Sequence, residues 1–263
     1  MELGLRNKTA VVLAASKGLG RAAAEALAAE GARVAIGSRN KEGLEKTAQE
    51  ISEKTESQVI AIPVDVTDAT QAESFIKQTI QHFGQIDILV NNAGGPPFGS
   101  FQSFDETQWQ AAFELNLLST VRFTRLVLPH LKKTGSGRII NIVSMSVKSV
   151  LESSVLSTSI RMGVVGMAKL LADEVGPDQI TVNNVCPGMI LTDRIRNSGI
   201  KKELAAGMSE EEALKEKSKN IPLRRIGKPE ELAALIAFLA SEKASYITGT
   251  TIQVDGGAVR SIF

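Results

Sequence analysis

Thr9-Ala10-Val11-Val12-Leu13-Ala14-Ala15-Ser16-Lys17-Gly18-Leu19-Gly20-Arg21-Ala22-Ala23-Ala24-Glu25 is the stretch from which the fold is read. A short apolar run with β-branched residues passes through a turn containing two glycines into an alanine-rich amphipathic segment. That order is strand, tight turn, helix. A glycine-rich turn at this junction lets the backbone approach a pyrophosphate, and the helix N-terminus behind it offers unpaired N–H groups and the positive end of its dipole. Alone, Gly18-Leu19-Gly20 is weak evidence, since many strand–helix turns need glycine only for geometry.

The rest of the chain repeats the alternation. Thr9–Leu13, Arg33–Ile36, Val59–Pro63, Ile86–Val90, Arg138–Val143, Thr181–Val185 and Thr251–Val254 read as strands. Most are near-continuously apolar, as strands covered on both faces must be. Leu19–Ala29, Lys41–Lys54, Ala69–Phe83, Glu106–Leu131, Ser157–Val175 and Pro229–Ser241 read as helices, with Asp68 placed to cap the third and Pro229 in the first turn of the last. The pattern predicts an α/β fold with a doubly wound, seven-stranded parallel sheet and helices on both faces. Residues 1–263 read as a single dinucleotide-binding domain. Within it, the polar segment 192–221 is too long for an ordinary connection and is expected to be a mobile substrate lid.

Composition narrows the function classes. The chain has 263 residues, 30 Lys and Arg against 29 Asp and Glu, and a net charge of +1, so neither a nucleic-acid nor a membrane partner is expected. The first residues lack the apolar h-region of a signal peptide, and no run was read as reaching the ~18–20 apolar residues of a membrane span. The expected location is cytoplasmic. One cysteine, Cys186, excludes an internal disulfide and a thiolate zinc site; it reads as a small buried residue, and no metal is expected.

The glycine turn has company. Asp65-Val66 follows the third strand, Asn91-Asn92-Ala93-Gly94 the fourth, and Pro187-Gly188-Met189-Ile190-Leu191-Thr192 the sixth. All fall at carboxyl ends of strands, where open α/β sheets place ligands. At the end of the second strand stands Gly37-Ser38-Arg39, without the acid that usually bonds an NAD ribose. Arg39 can pair bidentately with a 2′-phosphate, and Lys17 can add a second positive charge, so NADP(H) is the expected cofactor.

With these pieces, Asn116, Ser144 and Asp255-Gly256-Gly257, the chain resembles the short-chain dehydrogenase/reductase family over essentially its whole length. The resemblance implies sheet order 3-2-1-4-5-6-7, a nicotinamide cofactor, and often a homotetramer. It assigns cofactor binding to Ser16, Lys17, Gly18, Leu19, Gly20, Ser38, Arg39, Asp65, Val66, Asn92, Ala93, Gly94, Arg161, Pro187, Gly188, Ile190 and Thr192, and catalysis to Asn116, Ser144, Ser157 and Arg161.

The chain departs from the family pattern in two places. The family opens its glycine turn with Thr-Gly where this chain has Leu13-Ala14, and Ala14 is expected to fit with a negative φ. More consequentially, Ser157 and Arg161 stand where the family has the tyrosine that moves the proton and the lysine that supports it. The register is fixed by Gly163-Val164-Val165-Gly166-Met167-Ala168-Lys169, and the chain's single tyrosine is Tyr246. A tyrosine starts near pKa ~10 and can be tuned toward neutrality; a serine hydroxyl is far less acidic, and a guanidinium does not relay protons. General acid–base help contributes roughly 10²–10⁴-fold, about 3–5 kcal/mol.

Lys148 and Glu152 are candidate substitute acids, although solvated loop charges are the simpler reading. Asp193 and Arg194 stand where a polar substrate could be met. The expectation is an atypical NADP(H)-dependent oxidoreductase acting on a small or acyl-linked carbonyl or alcohol, similar to a 3-oxoacyl-carrier-protein reductase. The alternative is a catalytically impaired NADP(H)-binding sensor or silent subunit of an oligomer.

Overall fold

The computed structural model describes residues 2–262. Its strands β1 (Thr9–Leu13), β2 (Arg33–Ser38), β3 (Val59–Pro63), β4 (Ile88–Asn91), β5 (Arg138–Ile142), β6 (Thr181–Pro187) and β7 (Thr251–Val254) form one parallel sheet in the order β3-β2-β1-β4-β5-β6-β7. The helices alternating with them are α1 (Gly18–Ala29), α2 (Lys41–Thr55), α3 (Ala69–Phe83), α4 (Glu106–Phe113), α5 (Ser119–Thr134), α6 (Val155–Val175), α7 (Lys201–Ala205), α8 (Glu210–Ser218) and α9 (Pro229–Ala240). The expected doubly wound fold is the one formed.

Side-chain alternation along β1 shows how two cores arise. Ala10 and Val12 pack with Leu27, Leu44, Ile51 and Ile236 beneath α1, α2 and α9. Val11 and Leu13 point the other way, toward Phe75, Phe123, Val127 and Ala168 of α3, α5 and α6. Each strand thus contributes to both layers, which is why its sequence reads as a continuous apolar run. Asp68 accepts the Gln71 N–H at 3.0 Å, as expected of the α3 cap, and Pro229 occupies the start of α9.

Two readings are corrected. The helix expected over Glu106–Leu131 is interrupted by a π-turn, Glu114–Leu118, and runs on to Thr134. Such wide turns accommodate one extra residue and often sit at functional positions. Within the segment 192–221 lie a π-turn at Ile195–Gly199 and the short helices α7 and α8. Finally, Val155–Asp178 is long and apolar enough to cross a membrane by length and composition, with a mean hydropathy of 1.4. Charged Arg161, Lys169, Asp173 and Glu174 interrupt the run, and the helix packs along β6 in the sheet's outer layer.

Among the polar residues of the strands, one row runs across four of them at a single level. Asn91, Asn141, Asn184 and Thr251 are in register across β4, β5, β6 and β7. Asn91 Nδ2 donates to Asn141 Oδ1 at 2.9 Å, Asn141 Nδ2 to Asn184 Oδ1 at 2.9 Å, and Asn184 Nδ2 to Thr251 Oγ1 at 3.1 Å. Asn141 is 1% exposed, so a slip of either neighbour would leave its amide unpaired in an apolar layer. Replacing Asn141 with Ala is expected to lower stability by about 2–4 kcal/mol, since two buried bonds go and their partners are orphaned. Chemical denaturation checks this, and an unchanged midpoint would contradict it.

Candidate active site

The carboxyl edge of the sheet opens into a cleft of about 640 Å³. Its walls include Ser16 and Lys17 from the turn before α1, with Gly18 and Leu19 in its first turn; Ser38 and Arg39 at the end of β2; Asp65 and Val66 after β3; Asn92, Ala93 and Gly94 after β4; and Thr192 after β6. The structure therefore brings together most of the residues singled out for cofactor binding. Gly20, Pro187, Gly188, Ile190, Asn116, Ser144, Ser157 and Arg161 are not among its walls.

Gly20 acts from behind: a Cβ there would come within 2.5 Å of the Ala14 carbonyl oxygen and 2.9 Å of Asn92 Nδ2. Only glycine lets α1 start this close to the β4 loop. Gly18 takes φ +60, which again favours glycine. Gly188 is similar, since a Cβ would meet the Asp255 Cα at 2.6 Å.

Ala14 departs from expectation. Its φ is +49, not negative. In the turn between β1 and α1 the alanine methyl bears the cost of the left-handed region.

The far end of the cleft suits a phosphate. The Ser38 hydroxyl is enclosed and has no hydrogen-bond partner among the described residues. Arg39 is exposed beside it and near enough to act on Asp65. Burial works against the Asp65 charge, but the Thr67 N–H and hydroxyl, together with Arg39, hold its carboxyl below the ordinary value. Lys17 is otherwise engaged: its Nζ lies 3.1 Å from Asp193 Oδ2. Both partners are exposed, so this pair contributes little and yields to a stronger anion. An orphaned hydroxyl, a free guanidinium and a glycine cradle fit a 2′-phosphorylated dinucleotide.

The opposite end is built on β5 and α6. Ser144 follows β5 and its Oγ accepts the Ser146 N–H at 3.1 Å, leaving its own hydrogen free to donate. Asn116, carried inward by the π-turn, donates from Nδ2 to the Gly94 carbonyl at 2.8 Å, while its Oδ1 is enclosed and unpaired. Ser157 is half-buried in the first turns of α6. Arg161, one helical turn later, is buried, and its Nη1 donates to the Ile142 carbonyl at 3.0 Å. Burial first, and then Arg194, lowers its pKa to about 10, so it remains a cation at neutral pH. Cys186 is buried as expected, and burial pushes its thiol up to about 12, which removes it as a nucleophile.

The segment after β6 closes over this end. Its two ends are stitched together where Ile190 bridges Gly227. Arg194 reaches across to donate to the Gly95 carbonyl at 3.0 Å and the Pro96 carbonyl at 2.8 Å, with its guanidinium 4.8 Å from the Phe98 ring centroid. The sequence marks Arg194 as a polar contact for a substrate, and the structure adds its acceptors at Gly95 and Pro96. The glycine after Gly94 was the available signal: a Cβ at Gly95 would lie 2.6 Å from the Arg194 guanidinium carbon.

Comparison with known proteins agrees with this geometry. The family described as enoyl-(acyl carrier protein) reductase matches residues 13–259. The 3-oxoacyl-[acyl-carrier-protein] reductase FabG of Escherichia coli is 36% identical over 255 residues, covering 97% of this chain and 98% of that protein. The reductase of the same name from Thermotoga maritima is 34% identical, covering 97% and 99%. Among solved structures, L-sorbose reductase from Gluconobacter frateurii, complexed with NADPH and L-sorbose, superposes with a TM-score of 0.96 at 31% identity over the full length of both chains.

Replacing Ala14 with Gly is expected to stabilise the protein by about 0.5–1 kcal/mol. Left-handed strain of roughly 1–2 kcal/mol is relieved, against roughly 0.4–1 kcal/mol of added unfolded-chain entropy. Thermal denaturation of the pair measures the difference, and a lower melting temperature for the glycine variant would contradict the assignment.

Proposed function

The chain belongs to the short-chain dehydrogenase/reductase family, and from that premise we propose that it is an atypical NADP(H)-dependent reductase of a small or acyl-linked carbonyl. It is an oxidoreductase of the FabG type, and NADP(H) is its cofactor. The observation that carries the reading is the cleft itself. It runs from a turn that admits no side chain at Gly20 to the unpaired Ser38 hydroxyl beside Arg39.

Bound NADPH supplies the hydride. Gly18, Leu19 and Gly20 present N–H groups at the α1 N-terminus to the pyrophosphate, with Ser16 and Lys17 leading into that turn. Ser38 and Arg39 hold the 2′-phosphate. Asp65 and Val66 border the adenine end, while Asn92, Ala93 and Gly94 form the floor. Pro187, Gly188, Ile190 and Thr192 shape the nicotinamide end, where Arg161 has N–H groups left for the ribose after bonding Ile142.

Ser144 donates its hydroxyl hydrogen to the substrate oxygen, which gains negative charge as hydride arrives at carbon. The proton completing the alcohol reaches that oxygen through Ser157 or through a water at Asn116. The unpaired Asn116 Oδ1 supports the second route. With Ser157 and Arg161 in place of the family's tyrosine and lysine, this proton step is the slow one. Residues 192–221 serve as the lid of a single domain, docked by the Lys17–Asp193 pair and by Arg194 on Gly95 and Pro96.

The reading includes a homotetramer, supported by apolar side chains that α4 and α6 leave exposed: Phe113, Met162 and Leu170. A second reading, a cofactor-binding subunit without turnover, draws on Arg161, a cation that holds its proton at neutral pH.

One assay separates the two readings. The purified protein is expected to oxidise NADPH slowly but continuously on some member of a broad carbonyl panel. Restoring tyrosine and lysine together through Ser157→Tyr and Arg161→Lys is expected to raise that rate by about 10²-fold or more. Silence of the native chain on the whole panel, with activity only in the double variant, would leave the subunit reading.

A further inference from the structure

The cleft wall that carries Asp65 and Val66 is a short loop between β3 and α3, held largely by its own residues. Asp65 Oδ1 accepts the Thr67 N–H at 3.0 Å and the Thr67 hydroxyl at 2.7 Å. Gln71, in the first turn of α3, accepts the Asp65 N–H on its Oε1 at 2.9 Å. These bonds give the loop its shape. Among the described residues, the hydrogen bond that carries it beyond α3 comes from Arg122 of α5. Its Nη1 donates to the Val66 carbonyl at 2.8 Å, joining residues 56 positions apart.

Arg122 has a second partner on the π-turn. Its Nη2 lies 3.8 Å from Glu114 Oε2, and the pair straddles the turn at Glu114–Leu118. Leu115 of that turn and Val66 both wall the cleft. The next residue of the turn, Asn116, holds the carbonyl of Gly94, a third wall residue, at 2.8 Å. Arg122 itself is not among the walls, and its side chain is 16% exposed. It braces two walls from behind.

The two holds differ in strength. The Glu114 pair is long and partly exposed, so it contributes little alone. The bond to Val66 has a charged donor, which makes it roughly twice as strong as a neutral one. A guanidinium offers several donors in a fixed plane and so can serve two elements at once. An ammonium is a point charge on a flexible stem.

We propose that Arg122 is a positioning residue for the cofactor: by bracing Val66 against the π-turn, it holds the wall on which the adenylate end of NADP(H) rests. It touches neither cofactor nor substrate and acts through the Val66 peptide. A wall already in place leaves less ordering for the cofactor to impose, which tightens binding. The role rests on the placement of the adenylate end beside Ser38, Arg39 and Val66 in the function proposed above.

Calorimetry with two probes tests it: adenosine 2′,5′-bisphosphate, which fills only the adenylate end, and whole NADP⁺. In Arg122→Met both dissociation constants are expected to rise by the same factor, about tenfold, the scale of one charge-assisted hydrogen bond. Arg122→Lys keeps the charge and is expected to show a smaller rise; it also serves where Arg122→Met folds poorly. Glu114→Gln is expected to change either constant by about twofold at most. Arg39→Ala is the control for the placement, and it is expected to weaken both probes.

Bisphosphate affinity unchanged in Arg122→Met, with Arg39→Ala weakened, overturns the brace and leaves the placement standing. Affinity unchanged in both variants removes the placement and the brace with it. A much larger loss for NADP⁺ than for the bisphosphate in Arg122→Met also overturns the proposal, because a merely structural role disturbs the whole cleft and not its adenylate end alone.

Discussion

Asn141 donates to Asn184 and accepts from Asn91, each at 2.9 Å, in the buried interior of the sheet. This chain of amides, continued to Thr251, fixes β4, β5, β6 and β7 against one another at one level. The loops that leave those strands just beyond it carry Asn92, Ser144, Thr192 and Asp255. Buried apolar faces already specify register in a parallel sheet, and a row of enclosed amides paired from strand to strand adds a polar cost to any slip. The positions of the β4, β5 and β6 loops, and so the shape of the cleft, depend on that alignment.

Much of this was legible in the sequence for simple reasons. Strands covered on both faces are apolar throughout, and helices between them show one apolar stripe, so the β3-β2-β1-β4-β5-β6-β7 sheet follows from alternation and handedness. The cofactor residues were legible because glycines and short polar residues cluster after strand ends. Other features were hidden for equally physical reasons. The π-turn at Glu114–Leu118 leaves no mark in a helical periodicity that continues on either side. Ala14 at φ +49 could not be read from composition, because the neighbouring strand and helix impose the angle. The amide ladder had a signal, since asparagine recurs near the ends of several apolar runs, but only pairing reveals that the residues face one another.

The site divides electrostatically along its length. One end, with Ser38 and Arg39, is open to solvent and suited to a phosphate. The other, with Arg161 and Arg194, keeps cations among neutral acceptors. Ser157 and Arg161 share one helix turn. On the proposed reading, Ser157 takes a phenol's acid–base help, worth roughly 10²–10⁴-fold, away from the site, while Arg161 keeps a cation where the family has lysine.

The central claim is that hydride transfer survives here while proton delivery has become the slow step. Isotope effects on a substrate that turns over test it most directly, comparing 4-deuterated NADPH in ordinary water with ordinary NADPH in heavy water. The account expects a large solvent effect and a small effect from the deuterated cofactor. A full effect from the deuterated cofactor, with rates unchanged in heavy water, would contradict it.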